Sequence, residues 1–261
     1  MHKDSTIKTI VVAAVLCIVC SVLVSSAAVG LKARQDENKK LDIKKNLLLA
    51  SGLIKDGATA KDINQAFTKV RAEVVNLDSG EPMPNMDAAE FDQKDARKNP
   101  KTSKVIKPAN DIARIKQRSK YSIVYKVMDG DQVKMLVLPI NGKGLWSTLY
   151  GFIALAPDTK TVKGLGFYEH GETPGLGGEV DNPDWKAQWR GKVATNDEYE
   201  PTIRVVKGSV DSSDPAAEHK VDGLSGATMT SNGVTGLVQY WLGQDGFGPY
   251  LAKFRSENGV L

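Results

Sequence analysis

The sequence predicts an α+β protein in which one membrane-spanning helix precedes a globular domain of hairpin strands and flanking helices. Three observations support this fold class. An uncharged apolar stretch lies near the N-terminus, the strand candidates come in hairpins, and an amphipathic helix follows near the C-terminus. Repeated βαβ units, which would indicate a doubly wound dinucleotide-binding fold, are not evident in the sequence.

The composition excludes several classes of protein and of binding site. The 261 residues are 41% hydrophobic and 25% charged, which is enough to build one or two folded domains. A net charge of only +4 gives no sign of a nucleic-acid partner. Cys17 and Cys20 are the only cysteines, so the rest of the chain has no ligands for a thiolate zinc site or a cysteine-bound iron–sulfur cluster. Redox chemistry there requires an organic cofactor or other ligands.

The N-terminal apolar stretch, Thr9 to Leu31, has 23 residues without a charged side chain. As a helix it reaches about 34 Å, enough to cross a hydrocarbon core of about 30 Å. A cleaved signal peptide ending near Ser26–Ala28, which would leave a soluble secreted protein, is the alternative. Length favours the anchor, because apolar signal cores usually run about 7–15 residues.

The charges around this stretch do not determine its orientation. Basic residues lie on both sides but are more numerous after it: Lys3 and Lys8 before, then Lys32, Arg34, Lys39, Lys40, Lys44 and Lys45. The positive-inside rule would therefore keep the large domain in the cytoplasm. The rule is weak where a long domain follows.

The segments before the hairpins are predicted to be mostly helical. Residues 36–56 mix charge and leucine, and Ala58 to Val75 has apolar residues at helical spacing after a capping-box-like start at Thr59 and Asp62. Residues 78–91, rich in proline, indicate a linker or an extended strap. Residues 94–120 are basic and indicate a solvated face more than a phosphate- or lipid-binding one. The predicted divisions are an anchor (1–35), a helical juxtamembrane region with linker (36–93) and a domain (94–261).

Two hairpins and a helix follow. Tyr121–Val127 and Val133–Ile140 flank a turn at Asp129-Gly130, a strong hairpin signal. The other predicted elements are the pair Trp146–Ala156 and Thr161–Tyr168 around Pro157-Asp158, a strand at Thr202–Lys207, and a helix from about Thr230 to Leu242.

One candidate binding segment, Asp222 to Ser231, combines glycines at 223 and 226 with a helix that follows directly. Free N–H groups and the dipole at a helix start suit a phosphate. Four hydroxyls crowd this junction, although one would suffice as an N-cap: Ser225, Thr228, Thr230 and Ser231. No Gly-Lys-Ser/Thr follows, so the segment is not a Walker A loop.

A second and a third segment have features of a site for a flat ligand. In Glu169–Gly178, Pro174 and several glycines bend the backbone for close approach to a ring. His170 is either an acid, base or metal ligand, or a polar filler. Its spacing from Glu169 and Glu172 matches no metal template, so we predict no metal site. In Gly144–Gly151, Trp146 and Tyr150 either cover an aromatic ring or pack in the core.

These segments together resemble a known family. Ser225-Gly-Ala-Thr-Met-Thr230 resembles the flavinylation motif of covalent FMN-binding domains, and Glu172–Gly177 and Gly144–Trp146 match its usual companions in order and distance. With one N-terminal span, the whole chain resembles the C subunits of the bacterial sodium-translocating NADH:quinone reductases. In that family FMN is phosphoester-linked to the last threonine of the motif, which falls on Thr230 here. A flavin transferase attaches it, with FAD as donor.

The resemblance also implies a site and a role. The cofactor-binding residues are expected to be Thr230 with its neighbours Gly223, Leu224, Ser225, Gly226, Ala227 and Thr228, together with Trp146, Glu172, Thr173, Leu176 and Lys207. No catalytic residue is expected. The chain would be a single-pass inner-membrane subunit with a periplasmic domain, in contact with membrane lipid and the other subunits. It would carry electrons between an iron–sulfur centre and another flavin during sodium export and ubiquinone reduction. Alone it would not oxidise NADH.

Two other functions remain open. One is the equivalent FMN-carrying subunit of the Rnf ferredoxin:NAD oxidoreductase complex, which shares the flavinylation motif. The other is an anchored extracytoplasmic module that binds its ligand noncovalently. A covalent chromophore that survives denaturation would exclude the second.

Overall fold

The computed structural model describes residues 5–260, which form two compact units divided between Ile43 and Lys44. The first helix, α1, covers Thr6–Ala50. Among the described residues it is the one helix that is long and apolar enough to cross a membrane, judged by length and composition. The predicted helix at 36–56 therefore ends earlier than expected, at Ala50, and turns follow it.

The second unit has an α+β fold, as predicted. Its helices are α2 (Ala60–Phe67), α3 (Gln93–Lys98), α4 (Pro183–Ala187), α5 (Thr228–Leu242) and α6 (Gly248–Asn258). Its strands are β1 (Val70–Asn76), β2 (Ser103–Val105), β3 (Gln117–Ser119), β4 (Tyr121–Asp129), β5 (Gln132–Lys143), β6 (Thr148–Leu155), β7 (Val162–Glu169), β8 (Arg204–Val205) and β9 (Lys220–Val221). Short 3-10 helices cover Gly177–Asp181 and Ala217–His219.

An antiparallel sheet in the order β1-β4-β5-β6-β7 forms the centre of this unit. Both predicted hairpins are confirmed: β4 pairs with β5 around Gly130, and β6 pairs with β7. β6 starts at Thr148, so Trp146 lies in the preceding loop and not in the strand. The predicted strand Thr202–Lys207 is reduced to the two residues of β8, which pair in parallel with β9.

The prediction that Ala58–Val75 is one helix is wrong after Phe67. The capping box at Thr59 and Asp62 is present, and α2 starts there. The chain then forms β1, which pairs with β4 over its whole length. Val70 and Val74 are four residues apart, a spacing that places them on one face of a helix and also on one face of a strand. Pairing with the open edge of β4 decides between the two. The predicted boundary at 93/94 stays a prediction, although β1 pairs across it.

The basic stretch 94–120 is not uniformly solvated. Arg118 is only 1% exposed, and its guanidinium donates to Asp78 Oδ1 at 2.5 Å and to the Ser119 carbonyl at 2.9 Å. A buried charge needs such partners. Asp78 belongs to the segment predicted as a linker or strap, and this ion pair fastens that segment to the domain.

Helix α5 packs on β5 through glycines, which brings the two backbones together. A β-carbon on Gly142 would lie 2.4 Å from Leu237 Cβ, and one on Gly233 would lie 2.4 Å from the Lys143 carbonyl oxygen. Apolar residues of α5, including Val234 and Leu237, join the core above the sheet. The contact fixes the start of α5 next to the loop that joins β5 to β6.

Helix α6 was not predicted, yet its sequence contains both boundary signals. Pro249 stands in its first turn, where a missing N–H costs nothing, and Gly259 ends it with a positive φ of 66°. α6 contributes Tyr250, Leu251 and Phe254 to the core.

We predict that Gly233→Ala lowers the free energy of unfolding by about 1–3 kcal/mol, because the new methyl group has no room beside a main-chain carbonyl. The higher helix propensity of alanine, worth about 1 kcal/mol, offsets only part of this cost. Thermal unfolding of the full chain in detergent, followed by near-UV circular dichroism, measures the effect. All four tryptophans lie between residues 146 and 241, so the signal reports on the second unit.

The matched control is Gly166→Ala on β7. A β-carbon there would be 3.6 Å from Ala50 Cβ, which is ordinary contact. We expect a change within about 0.5 kcal/mol. Equal effects of the two substitutions would contradict the close α5–β5 contact.

Candidate functional site

The carboxylate of Glu172 joins three segments that are distant in sequence. Its Oε1 accepts the N–H groups of Trp146 and Ser147, each at 3.0 Å, and its Oε2 accepts the Leu145 N–H at 3.1 Å. Oε2 also accepts the hydroxyl of Thr230 at 2.7 Å. The β5–β6 loop, the segment after β7 and the start of α5 therefore meet at one side chain.

The electrostatics of this contact favour an ionised carboxylate. Burial raises the pKa of Glu172, but the hydrogen bonds from Thr230 and from the backbone of Ser147, Trp146 and Leu145 lower it more, so that the net pKa lies below its usual value. Because the folded-state pKa is lowered, the interaction stabilises the protein at neutral pH. That stabilisation is lost as the pH falls through the lowered pKa.

Two glycines make room for the Glu172–Thr230 pair. A β-carbon on Gly144 would lie 2.6 Å from Glu172 Oε1, and one on Gly177 would lie 2.6 Å from Thr230 Oγ1. Any larger residue would separate the carboxylate from its donors. Gly177, which was predicted to allow approach to a flat ligand, here allows two protein segments to approach one another.

Thr230 itself is fully buried, with 0% exposure. It lies in the first turn of α5, whose N-cap is Ala227, so no side chain caps the helix. None of the four hydroxyls at this junction serves as the N-cap. Thr230 donates to Glu172, and Ser231 Oγ accepts the Leu224 N–H at 3.1 Å. The N–H groups of the first turn are left for another acceptor.

Residues 172–178, which we call the Glu172 loop, turn sharply over the start of α5. The Thr173 carbonyl accepts the N–H groups of Leu176 and Gly178, and Gly175 has a positive φ of 74°. Leu176 is 44% exposed, and its Cδ2 would be 2.9 Å from a β-carbon on Gly226. The loop therefore lies directly against the predicted flavinylation motif.

A cavity of about 710 Å³ is lined in part by that motif. The predicted site residues that line it are Lys207, Gly223, Leu224, Ser225, Gly226 and Thr228. Several further lining residues were not predicted from the sequence, among them Trp185, Gln188 and Asn232. Trp185 donates from Nε1 to the Asp222 carbonyl at 2.8 Å. No motif marks these three, because they come from α4, from the residue after it and from the exposed side of α5.

The remaining predicted residues surround the Glu172–Thr230 pair and do not line this cavity. Trp146 is 67% exposed and contributes its N–H, and Thr173 is exposed in the Glu172 loop. Ala227 is buried at the N-cap of α5. The roles of all these residues toward a cofactor stay predictions.

His170 has a structural part in this site. Its Nδ1 accepts the Glu172 N–H at 3.2 Å, which leaves Nε2 to donate to Asp181 at 2.8 Å. Glu169 instead pairs with Lys94, at 2.6 Å. The three titratable residues 169, 170 and 172 thus have three different partners. The backbone donors of Leu145 and Ser147 could not be predicted from the sequence, because every residue except proline has a backbone N–H.

Comparison with known proteins adds the family. Residues 144–243 match the family of the FMN-binding domain. The C subunit of the Na(+)-translocating NADH-quinone reductase of Yersinia pestis is 47% identical over 256 residues, covering 97% of this chain and 95% of that protein. Its namesake from Pseudomonas aeruginosa is 47% identical over 255 residues, covering 97% and 98%.

A solved structure agrees with these relatives. The crystal structure of NqrC from Shewanella oneidensis superimposes with a TM-score of 0.76 at 38% sequence identity, covering 84% of this chain and 99% of that one. The two relatives are each 47% identical over 97% of this chain, which shows the family. The chain therefore belongs to the family of C subunits, or NqrC proteins, of the Na(+)-translocating NADH-quinone reductases.

Proposed function

We propose that this chain is the electron-carrying flavoprotein subunit of a sodium-pumping NADH:quinone reductase, with FMN phosphoester-linked to Thr230. The observation that carries the proposal is the placement of one hydroxyl, Thr230 Oγ1, at the uncapped start of α5, where it contacts the Glu172 loop and where neighbouring residues of the same turn line a ligand-sized cavity. Pockets for ligands of this class usually measure about 300–1,000 Å³. Family membership supports the flavin and the complex.

The residues around Thr230 fit the parts of FMN. Backbone N–H groups in the first turn of α5 suit the phosphate, and the exposed Lys207 at the cavity adds positive charge. Exposed apolar side chains beside the site, Trp146 and Leu176, suit the faces of the isoalloxazine ring, with Thr173 as a polar neighbour. These residues would hold and orient the flavin; none of them is proposed to do its chemistry.

Flavin supplies the electron transfer that the side chains of this domain lack. Both cysteines lie in α1, so the second unit has no thiolate to bind an iron–sulfur cluster. A covalent bond keeps the carrier on the protein without a free flavin supply. We propose that a flavin transferase forms the bond and that the other subunits exchange electrons with it.

The proposed location is the bacterial inner membrane, with α1 as an uncleaved anchor and the domain in the periplasm. α1 has the length and composition of a spanning helix. The relatives are subunits named for sodium translocation, which favours the sodium pump over the Rnf complex. One observation favours noncovalent binding instead: Thr230 does not line the cavity.

The attachment predicts a clear difference between two hydroxyls. Thr230→Ala should abolish flavin fluorescence in denaturing gels, because the acceptor oxygen is gone. Thr228→Ala, two residues away and exposed, should retain it. Mass spectrometry of the peptide covering residues 221–240 checks the position. If Thr230→Ala remains fluorescent after denaturation, the flavin is attached to another residue. If the denatured wild type shows no flavin fluorescence, the noncovalent binding module is favoured.

Topology is tested by reporters fused after residue 261. We expect periplasmic reporter activity and an uncleaved N-terminus, with residues 1–28 still present in the mature chain. The excess of basic residues after the apolar stretch argues for the opposite orientation. Cytoplasmic activity would therefore refute the proposed location.

The Glu172 loop predicts an effect on the flavin potential. Leu176→Asp should place a negative charge against the ring, disfavour the added negative charge of the reduced flavin and lower its midpoint potential. Val105→Asp, at another exposed apolar position, is the control and should leave the potential unchanged. Circular dichroism checks that both variants fold. A folded Leu176→Asp protein with normal flavin loading, spectrum and potential would remove this loop from the flavin site.

A further inference from the structure

The proposed flavin acceptor is inaccessible in this structure. Thr230 has no exposed surface, and its hydroxyl donates to Glu172 at 2.7 Å. Gly177 of the Glu172 loop packs directly on the hydroxyl, since a β-carbon there would lie 2.6 Å away. A phosphorus atom must approach Oγ1 to bond to it, and no path from solvent leads there while these residues stay in place.

Hydrogen bonds on both sides of Glu172 hold the loop closed in this structure. Glu172 is held from the other side by three backbone N–H groups of the β5–β6 loop, and the N–H of Gly171 donates to Ser147 Oγ at 2.7 Å. The loop is therefore fixed at its base, and Thr230 is the donor that ties it to α5. Hydrogen bonds to a charged partner are among the stronger ones in proteins.

Flavin transfer consumes the donor of this hydrogen bond. Thr230 Oγ1 forms a bond to the FMN phosphorus of FAD, the bond from that phosphorus to the bridging oxygen breaks, and AMP leaves with that oxygen. The hydroxyl proton is released to water. The ester oxygen that remains has no proton to donate, and the new phosphate places a negative charge near the Glu172 carboxylate. The contact seen here cannot re-form after transfer.

We propose that the Glu172–Thr230 hydrogen bond is a latch of the unloaded protein: it closes the Glu172 loop over the acceptor, must open for flavin transfer, and is removed permanently by that transfer. This inference rests on the proposed attachment of FMN to Thr230. It assigns Glu172 a role before the flavin arrives, in controlling access to the hydroxyl.

The first test is the rate of covalent flavin incorporation into the folded, unloaded full chain. The chain is purified in detergent from cells without flavin transferase, then mixed with transferase, FAD and Mg²⁺. In Glu172→Gln the side chain is neutral, and the amide nitrogen that replaces Oε2 can accept neither from Thr230 nor from the Leu145 N–H. Exchanging hydrogen bonds to a charged carboxylate for neutral or missing ones shifts the opening equilibrium by about tenfold or more. We expect in-gel fluorescence to appear, and AMP to be released, about tenfold faster than in the wild type.

The control is Glu169→Gln, three residues earlier, which removes a carboxylate that pairs with Lys94 and does not touch Thr230. Its loading rate should equal that of the wild type. Loading of folded Glu172→Gln at the wild-type rate or more slowly would overturn the latch; slower loading would instead identify the carboxylate as a base that activates the hydroxyl.

The second test does not depend on the stability of Glu172→Gln or on loading. Thr230→Val keeps the side-chain shape and lacks the donor, so amide hydrogen exchange in residues 171–180 should become faster in the unloaded chain. Thr228→Val removes a neighbouring hydroxyl that does not contact Glu172 and should leave exchange unchanged. Unchanged exchange in Thr230→Val would overturn the proposal. If the flavin of the wild type is found on another residue, the proposed attachment to Thr230 is refuted. That result is distinct from unchanged exchange in Thr230→Val, which refutes the latch alone.

Discussion

The site depends on one buried carboxylate whose hydrogen-bond donors come mainly from the main chain. Glu172 is 5% exposed and accepts three backbone N–H groups and two hydroxyls, those of Thr230 and Ser147. An ionised group in such a position is stable only when each of its lone pairs has a donor. This carboxylate consequently holds three segments in one arrangement: the β5–β6 loop, the Glu172 loop and the start of α5. Moving any of the three would leave the buried charge without one of its hydrogen-bond donors.

The sheet and its hairpins could be predicted from the sequence because local signals specify them. The Asp129-Gly130 turn and the alternation on either side predict β4 and β5 without reference to the rest of the chain. β1 could not be predicted in the same way, because valines four residues apart fit a helix and a strand equally well. Its identity comes from the free edge of β4, which lies about fifty residues later in the sequence.

The site, like the sheet, could be predicted from the sequence only in part. Glu172, Thr173, Leu176, Trp146 and Thr230 were singled out by sequence, and the structure brings Glu172 and Thr230 into contact and the others close to them. What the sequence did not indicate is the direction of each group. Glu172 accepts from protein donors, and the group of Trp146 that contacts it is the backbone N–H. Backbone N–H donors cannot be recognised from residue type. A buried arginine such as Arg118 cannot be distinguished by sequence from the other basic residues of its stretch.

The glycine contact between α5 and β5 has a consequence for how this domain diverges in evolution. Where Gly233 meets the Lys143 carbonyl and Gly142 meets Leu237 Cβ, little side-chain volume separates helix from strand. The position of α5 is therefore set by main-chain geometry, which all sequences share. Core side chains elsewhere on α5 act on this distance less directly, whereas a methyl group at either glycine would force helix and strand apart. Substitutions of core side chains and an unchanged position of residue 230 are thus compatible within α5.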